Sequence, residues 1–307
     1  RSLIGRGKRG RKEGVKRKGV ATCQGGMGWM ESVWPVGWME SVWPVGEGAV
    51  VLHSRDWALE CFARPKADSV QEHMVTASSS LIITSLGAVP DLVETVHDYG
   101  GIVFHDVVNL RHAQKAKEAG VDGIIAVSAG AGGHSGQASP FGLIGEIRQI
   151  FDGCIILSGA LSTGRDIAAA HMMGADFAYM GTRFINTAEC MASNAYKQMI
   201  SEARMGDILL TDKVTGINAN FIRQSLEQAG MNPDELAPHG KLDIDKELSE
   251  AHNPKQNSIK PWRDLWSAGH GVGQITSSPP VAELVSQLKA EFHAASTAQL
   301  KDSQKYL

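Results

Sequence analysis

Gly123-Ile124-Ile125-Ala126-Val127, followed at once by Ser128-Ala129-Gly130-Ala131-Gly132-Gly133-His134-Ser135-Gly136, is the stretch on which the fold of this chain turns. An uncharged apolar run with β-strand composition opens into a glycine-rich turn that carries one histidine. Glycine permits positive φ and lets backbone N–H groups approach a flat or anionic ligand with no Cβ in the way. A histidine held there, at the mouth of a buried strand, reads as site architecture rather than core architecture. Two more strand ends have the same character, Ile155-Ile156-Leu157-Ser158-Gly159-Ala160 and Ala178-Tyr179-Met180-Gly181-Thr182-Arg183-Phe184. Three glycine-bearing mouths in succession predict one shared cavity.

Outward from this stretch the chain alternates short β-branched runs with helical patterns, the signature of parallel βα units. Strands are expected at Leu81–Ser85, Ile102–His105, Gly123–Val127, Ile155–Ser158 and Phe177–Met180, with helices at Asp91–Tyr99, Leu110–Ala119 and Arg165–Met173. Uniformly apolar strands are covered on both faces. Two architectures satisfy that, the open doubly wound sheet and the (β/α)8 TIM-type barrel. A doubly wound dinucleotide fold places its G-x-G-x-x-G turn after the first strand, whereas here the glycines follow the last two strands, where barrels bind phosphate. The expected fold is therefore an α/β barrel. Its early strands are thinly represented before residue 80: Ala49–Leu52 is the better candidate and Val20–Thr22 the poorer, so the barrel reads as incomplete at its N-terminal side.

Three regions are expected: a basic tail and repeat over residues 1–46, a barrel over 47–205, and a helical extension over 206–307 that packs on it. Residues 1–20 hold nine Lys/Arg against the single acid Glu13 and read as disordered, and Arg1 in place of Met points to a start elsewhere. Trp29–Gly37 is repeated without change as Trp38–Gly46, too few copies for a repeat architecture. In the extension a long helix is expected over Ala188–Arg204, then polar loops and helices, then a final helix over Pro280–Phe292. The segment Pro261–Gly273 has two readings, a lid reaching back to the site or an aromatic helix packed on the barrel with a glycine cap.

A net charge of −3, with the positive charge concentrated in the tail, leaves an acidic body and no expectation of nucleic-acid binding. No apolar run reaches the roughly 18 residues that a membrane span requires. Cys23, Cys61, Cys154 and Cys190 have no metal-binding spacing and read as reduced thiols, which suits an intracellular, cytoplasmic protein. No metal site is expected, and the sequence leaves the oligomeric state open.

Ala131-Gly132-Gly133-His134-Ser135-Gly136, Leu157-Ser158-Gly159-Ala160 and Met180-Gly181-Thr182-Arg183-Phe184, in this order and spacing, resemble the nitronate monooxygenase family over about residues 75–292. The resemblance implies an FMN-dependent barrel that oxidises alkyl nitronates with dioxygen to a carbonyl compound and nitrite. It implies that His134 is the catalytic residue, that Gly132 and Gly133 lie beside the flavin, and that Ser158, Gly159, Ala160, Met180, Gly181 and Thr182 hold the cofactor and its phosphate. This chain departs from the pattern at Val127 and Ala131, where many members carry Gln and Glu, and residues 1–46 contain no Ala-Pro-Met first strand. A nitronate is already a carbanion equivalent. His134 has two possible tasks: as imidazolium it would steady the anion, and as neutral imidazole it would take the α-proton of the parent nitroalkane. His105-Asp106 ends another strand, where Asp106 either lines the mouth or caps the next helix. Arg183 is expected in a structural ion pair. Two alternatives stay beside the nitronate reading: a flavin-dependent enoyl-thioester reductase, and a truncated homologue without catalysis.

Overall fold

Parallel pairing dominates the computed structural model, which describes residues 49–51, 81–85, 87, 90–237 and 261–306. The chain divides into two compact units, 1–36 and 37–307, and the first lies wholly outside the described residues. The basic tail, the tandem repeat and the Val20–Thr22 candidate strand lie outside them too.

The strands are β1 (Ala49–Val51), β2 (Leu81–Thr84), β3 (Ile102–Val107), β4 (Gly123–Val127), β5 (Gly133–His134), β6 (Cys154–Ser158), β7 (Phe177–Tyr179), β8 (Ile208–Thr211) and β9 (Ala219–Ile222). Six of them form one sheet in the order β1-β7-β6-β4-β3-β2, every neighbour parallel. That order runs one way through the sequence and sets the first strand beside the last, with Ala49 opposite Phe177 and Val51 opposite Tyr179. A doubly wound sheet reverses direction at a switch point, whereas a barrel brings its two ends together. All five strands expected after residue 80 are present, and the Ala49–Leu52 candidate supplies β1 over its first three residues. Residues 52–80, which run between the two edge strands, lie outside the described residues.

Alternation along the strands separates two apolar layers. Ile82, Val103, Val107, Ile124, Ala126, Ile155, Leu157 and Ala178 face the helices, and Phe104, Ile125, Cys154 and Ile156 form a cluster on the opposite, inner face. The helices are α1 (Pro90–Asp98), α2 (Leu110–Ala119), α3 (Pro140–Ile150), α4 (Gly164–Met172), α5 (Thr182–Ile185), α6 (Asn194–Glu202), α7 (Arg223–Gln228), α8 (Pro261–Asp264) and α9 (Val281–Ser303). Two βα units share a device that sets strand register. After α2, Gly120 takes a left-handed conformation and Asp122 accepts from the Val103 amide at 2.7 Å; after α4, Gly174 does the same and Asp176 accepts from the Ile155 amide at 2.8 Å. The carboxylate thereby satisfies an N–H at the start of the preceding strand, a group the sheet leaves unpaired. Arg148 then locks the second copy, donating to Gly174 O and Gly153 O at 2.8 Å and pairing with Asp176.

The C-terminal third departs from expectation in three places. The stretch after Arg204, expected as loops and helices, opens with β8 and β9, which pair antiparallel with each other and join β5 in a second sheet. These runs of four residues are too short for periodicity to separate them from helix, and β5, the second partner of β9, lies about 85 residues away. The helix expected over Ala188–Arg204 is only α6, because Ser193 caps it by accepting from the Tyr196 amide at 3.2 Å. The final helix runs past Phe292 to Ser303, along a continuation rich in Ala, Gln, Leu and Lys that favours helix. Among the described residues no helix is long and apolar enough to cross a membrane, and no group of His, Cys, Asp or Glu is arranged to hold a metal.

Candidate active site

The exits of β4, β6 and β7 are joined by short hydrogen bonds. Ser158 O accepts from both the amide and the hydroxyl of Ser128 at 2.9 Å. Gly130 O accepts from the Ala160 amide at 3.1 Å and the His270 amide at 2.9 Å, and Thr182 Oγ1 accepts from the Gly269 amide at 3.0 Å. The segment Ala268–Val272 is thus set into the strand mouths, and Ser162 Oγ secures it by donating to Gly271 O at 2.9 Å. Gly132 stands where these parts converge: a Cβ there would lie 2.9 Å from the Gly269 nitrogen and 3.0 Å from Thr182 Oγ1. The three glycine-bearing ends that the sequence singled out do meet at one mouth.

His134 is carried on a ladder, not on a loose turn. In β5, Gly133 lies opposite Asn220 of β9 and His134 opposite Ala219, and the Ser135 amide donates to Asn218 O at 3.0 Å. Asn220 is 1% exposed and donates through Nδ2 to Ala131 O at 2.7 Å, so it ties the strand to the glycine turn. Sequence reading missed Asn220. Its signal was a lone polar residue inside the apolar run Ala219-Asn220-Phe221-Ile222. Burial holds the His134 pKa below the ordinary histidine value, which favours the neutral imidazole. Of the two tasks open to His134, proton acceptance is the one this environment suits.

The candidate cofactor residues fall into two groups. Gly181 caps α5, is exposed, and has nothing within 4 Å of the place where a side chain would stand. Within α5 the Phe184 and Ile185 amides donate to Gly181 O at 2.9 and 3.1 Å, and the Thr182 and Arg183 amides come before any intrahelical acceptor. Gly159 has φ +123° and Ala160 φ +60°, the one non-glycine residue with positive φ among the described residues. Backbone strain of this kind persists where surrounding contacts over-determine it, and here Gly130 O holds the Ala160 amide. Met180, by contrast, is 1% exposed and packs its side chain into the helix-side core, leaving its backbone alone at the mouth. The start of α4 is already filled with carboxylate: Asp166 accepts from the Ser162 and Thr163 amides, and Glu291 from the Gly164 amide at 2.8 Å. Arg183 is buried and donates to the carbonyls of Asn186 and Ser277 at 3.4 Å; desolvation lowers its pKa and the charge of Glu291 raises it.

His105 and Asp106 point to opposite faces of β3. His105 turns toward the helices, where its Nδ1 meets Thr84 Oγ1 at 2.6 Å, and burial, with the charge of nearby His112, pushes its pKa down to about 4. Asp106 turns inward. It caps no helix, since Asn109 caps α2 by accepting from the His112 amide at 2.9 Å. Burial pushes the Asp106 pKa up to about 7, against the opposing pull of a hydrogen bond from Ser85.

The nitronate monooxygenase family model matches residues 64–291. A protein from Mycobacterium tuberculosis named as a monooxygenase is 31% identical over 162 residues, covering 52% of this chain and 43% of its own. A nitronate monooxygenase from Paraburkholderia phytofirmans is 27% identical over 217 residues, 66% of this chain and 57% of its own. The chain therefore spans about half the length of these curated relatives. Among solved structures, the nitroalkane oxidase from Streptomyces ansochromogenes superposes with a TM-score of 0.61 at 21% identity, covering 81% of each chain, a likeness of fold. With the ring order of its parallel sheet, the three joined strand mouths and a family match over most of its length, this chain is a TIM-type α/β protein that belongs to the nitronate monooxygenase family.

Proposed function

We propose that the chain binds FMN and oxidises alkyl nitronates with dioxygen, giving a carbonyl compound and nitrite. The observation that carries this reading is His134, set on the β5–β9 ladder beside the glycine turn and kept neutral by its surroundings. The site residues fit the cofactor: the open space at Gly181, the Thr182 and Arg183 amides at the start of α5 and the positive-φ pair Gly159-Ala160 suit a phosphate, and Gly132, whose side-chain position is closed by Gly269 and Thr182, would meet a flat ring through its backbone. Gly133 and Ser158 contribute backbone to the same wall, and Thr182 keeps its hydroxyl proton for the phosphate while its oxygen accepts from Gly269.

When bound, FMN supplies the electron acceptor. The protein contributes placement and proton handling. His134 as neutral imidazole accepts at a ring nitrogen the α-proton of a neutral nitroalkane, and a preformed nitronate needs no such step. Residues 47–205 would form the flavin-binding barrel, and residues 206–307 would supply the ladder and the wedge that complete its mouth.

The test is nitrite release from a preformed nitronate by the flavin-loaded protein. Consumption of reduced nicotinamide with an enoyl thioester, and no nitrite, would replace this reading with the reductase. His134→Asn is expected to slow turnover of the neutral nitroalkane about 100-fold or more while costing the nitronate reaction less than tenfold. Equal losses on both substrates would remove His134 as the base.

A further inference from the structure

We propose that Asp106 sets the charge that the barrel mouth accepts: on the inner face beside Ser85, its carboxyl group admits an oxyanion while it carries its proton and turns that anion away once ionised. The proposal rests on the nitronate reading for the natural substrate, and it makes Asp106 a specificity-determining residue.

The geometry comes from strand alternation. On β3, Val103, His105 and Val107 face the helix layer, so Phe104 and Asp106 face inward, and Phe104 belongs to the inner cluster with Ile125, Cys154 and Ile156. Asp106 is in register with Ile125 of β4, one step before the C-terminal end of the strand, the end at which barrels of this class place reactive groups. The same face of three adjacent strands carries the apolar side chains of Ile83, Phe104, Ile125 and Val127. Among the described residues it is the only carboxylate on the inner face of the sheet. The histidine loop folds back to this corner, because a Cβ at Gly136 would lie 3.3 Å from Val108 Cβ, two residues beyond Asp106.

Among the described residues the other titratable groups on this face are few. β2 contributes only the hydroxyl of Ser85, β4 contributes none, β6 and β7 contribute Cys154 and Tyr179 on the same face, and the glycine turn contributes His134. His105 and His112 lie on the other side of β3, among the helices. Burial in this corner keeps Asp106 protonated up to about pH 7. An ionised carboxylate there would face an incoming anion with little solvent between them, and like charges in a weakly polarisable site exclude one another. His134, whose pKa is lowered, changes charge on the acid side of this window.

Nitrate is a planar oxyanion that resembles the nitronate head and stays ionised throughout, so its binding to the flavin-loaded protein, measured by calorimetry across neutral pH, tests the proposal. The dissociation constant is expected to rise by up to about tenfold per pH unit above about pH 7. Asp106→Asn should bind nitrate with no such rise. Ser85→Ala removes the hydrogen bond that favours the carboxylate, so its rise should begin at higher pH, which keeps the test alive if the Asn variant does not fold. A carbon-13 titration of the Asp106 carboxyl gives a readout independent of any ligand. An ordinary carboxylate titration, a rise that persists in Asp106→Asn, an unmoved onset in Ser85→Ala, or no nitrate binding at any pH would each overturn the proposal. Nitrite release from a nitronate is scored separately: a pH-gated nitrate site without nitrite release keeps the gate and removes the nitronate reading, and nitrite release without a gate does the opposite.

Discussion

Gly181 is the residue at which an added side chain would most cleanly report on the site. Nothing in the protein lies within 4 Å of a Cβ there, so Gly181→Val costs the apoprotein no packing clash, and any loss must come from what the open space receives. The variant should unfold within about 1 kcal/mol of the parent yet retain flavin at least tenfold less tightly, read from the visible absorbance per chain after gel filtration. Unchanged flavin content would move the phosphate elsewhere. At this scale the sequence was legible wherever a residue type is rare in its context. A histidine among glycines and glycines at strand ends announce themselves, and His134, Gly132 and Gly181 were singled out that way. Asn220 and Asp106 were harder: one needs the β5–β9 pairing to place it beside Ala131, the other needs the direction of alternation along β3 to show that it turns inward.

At the scale of the element, β3 places two titratable groups of opposite linkage in successive positions. The His105 pKa falls from 6.5 to about 4, so between those values the unfolded chain binds more protons and stability drops as pH falls. The Asp106 pKa rises from 3.8 to about 7, so across that interval the folded chain binds more protons and stability drops as pH rises. Each effect is bounded at roughly 3–4 kcal/mol by the size of its shift, and between about pH 4 and 6.5 they oppose one another. The parent protein should therefore show a shallow pH profile in urea unfolding over that range. Asp106→Asn removes the counterweight: it should be the more stable above about pH 7 and should lose stability steeply on acidification through the His105 window. A variant profile parallel to the parent's would show that the two groups are not linked to folding in this way. The main strands were legible as elements because each is a short apolar run that starts or ends near glycine, whereas β5 owes its existence to pairing with the distant β9, and β8 and β9 form a hairpin whose short runs carry no decisive periodicity.

Across the whole molecule, the last third of the chain returns to build the mouth of a barrel laid down by the middle third. Trp266 and Ser267 are anchored first: the Trp266 amide donates to Ser225 Oγ at 2.6 Å, Trp266 O accepts from the Ile222 amide at 2.9 Å, and Tyr196 stacks on Trp266 with ring centroids 5.1 Å apart. From that anchor Gly269 and Gly271 run against Gly130 and Ala160, so close that a Cβ at Gly271 would stand 2.7 Å from the Ala160 carbonyl oxygen. Gly271→Ala must therefore push the wedge out of the mouth or force the strained Ala160 turn to move, and both consequences would reach the proposed cofactor site. A control lies at the opposite end of the barrel, where a Cβ at Gly153 would meet the Phe151 ring of the helix-side core at 2.6 Å, at the face that contributes stability rather than chemistry. Both variants are expected to lose about 1–3 kcal/mol by overpacking, which lowers the Tm by a few degrees for each kcal/mol. Only Gly271→Ala should also lose bound flavin at temperatures where it remains folded. Equal flavin retention in the two would mean that the wedge braces the barrel without shaping its site. Loss confined to Gly271→Ala would make the C-terminal segment part of the cofactor's enclosure, built from residues 87 or more positions away in sequence from the strand mouths it closes.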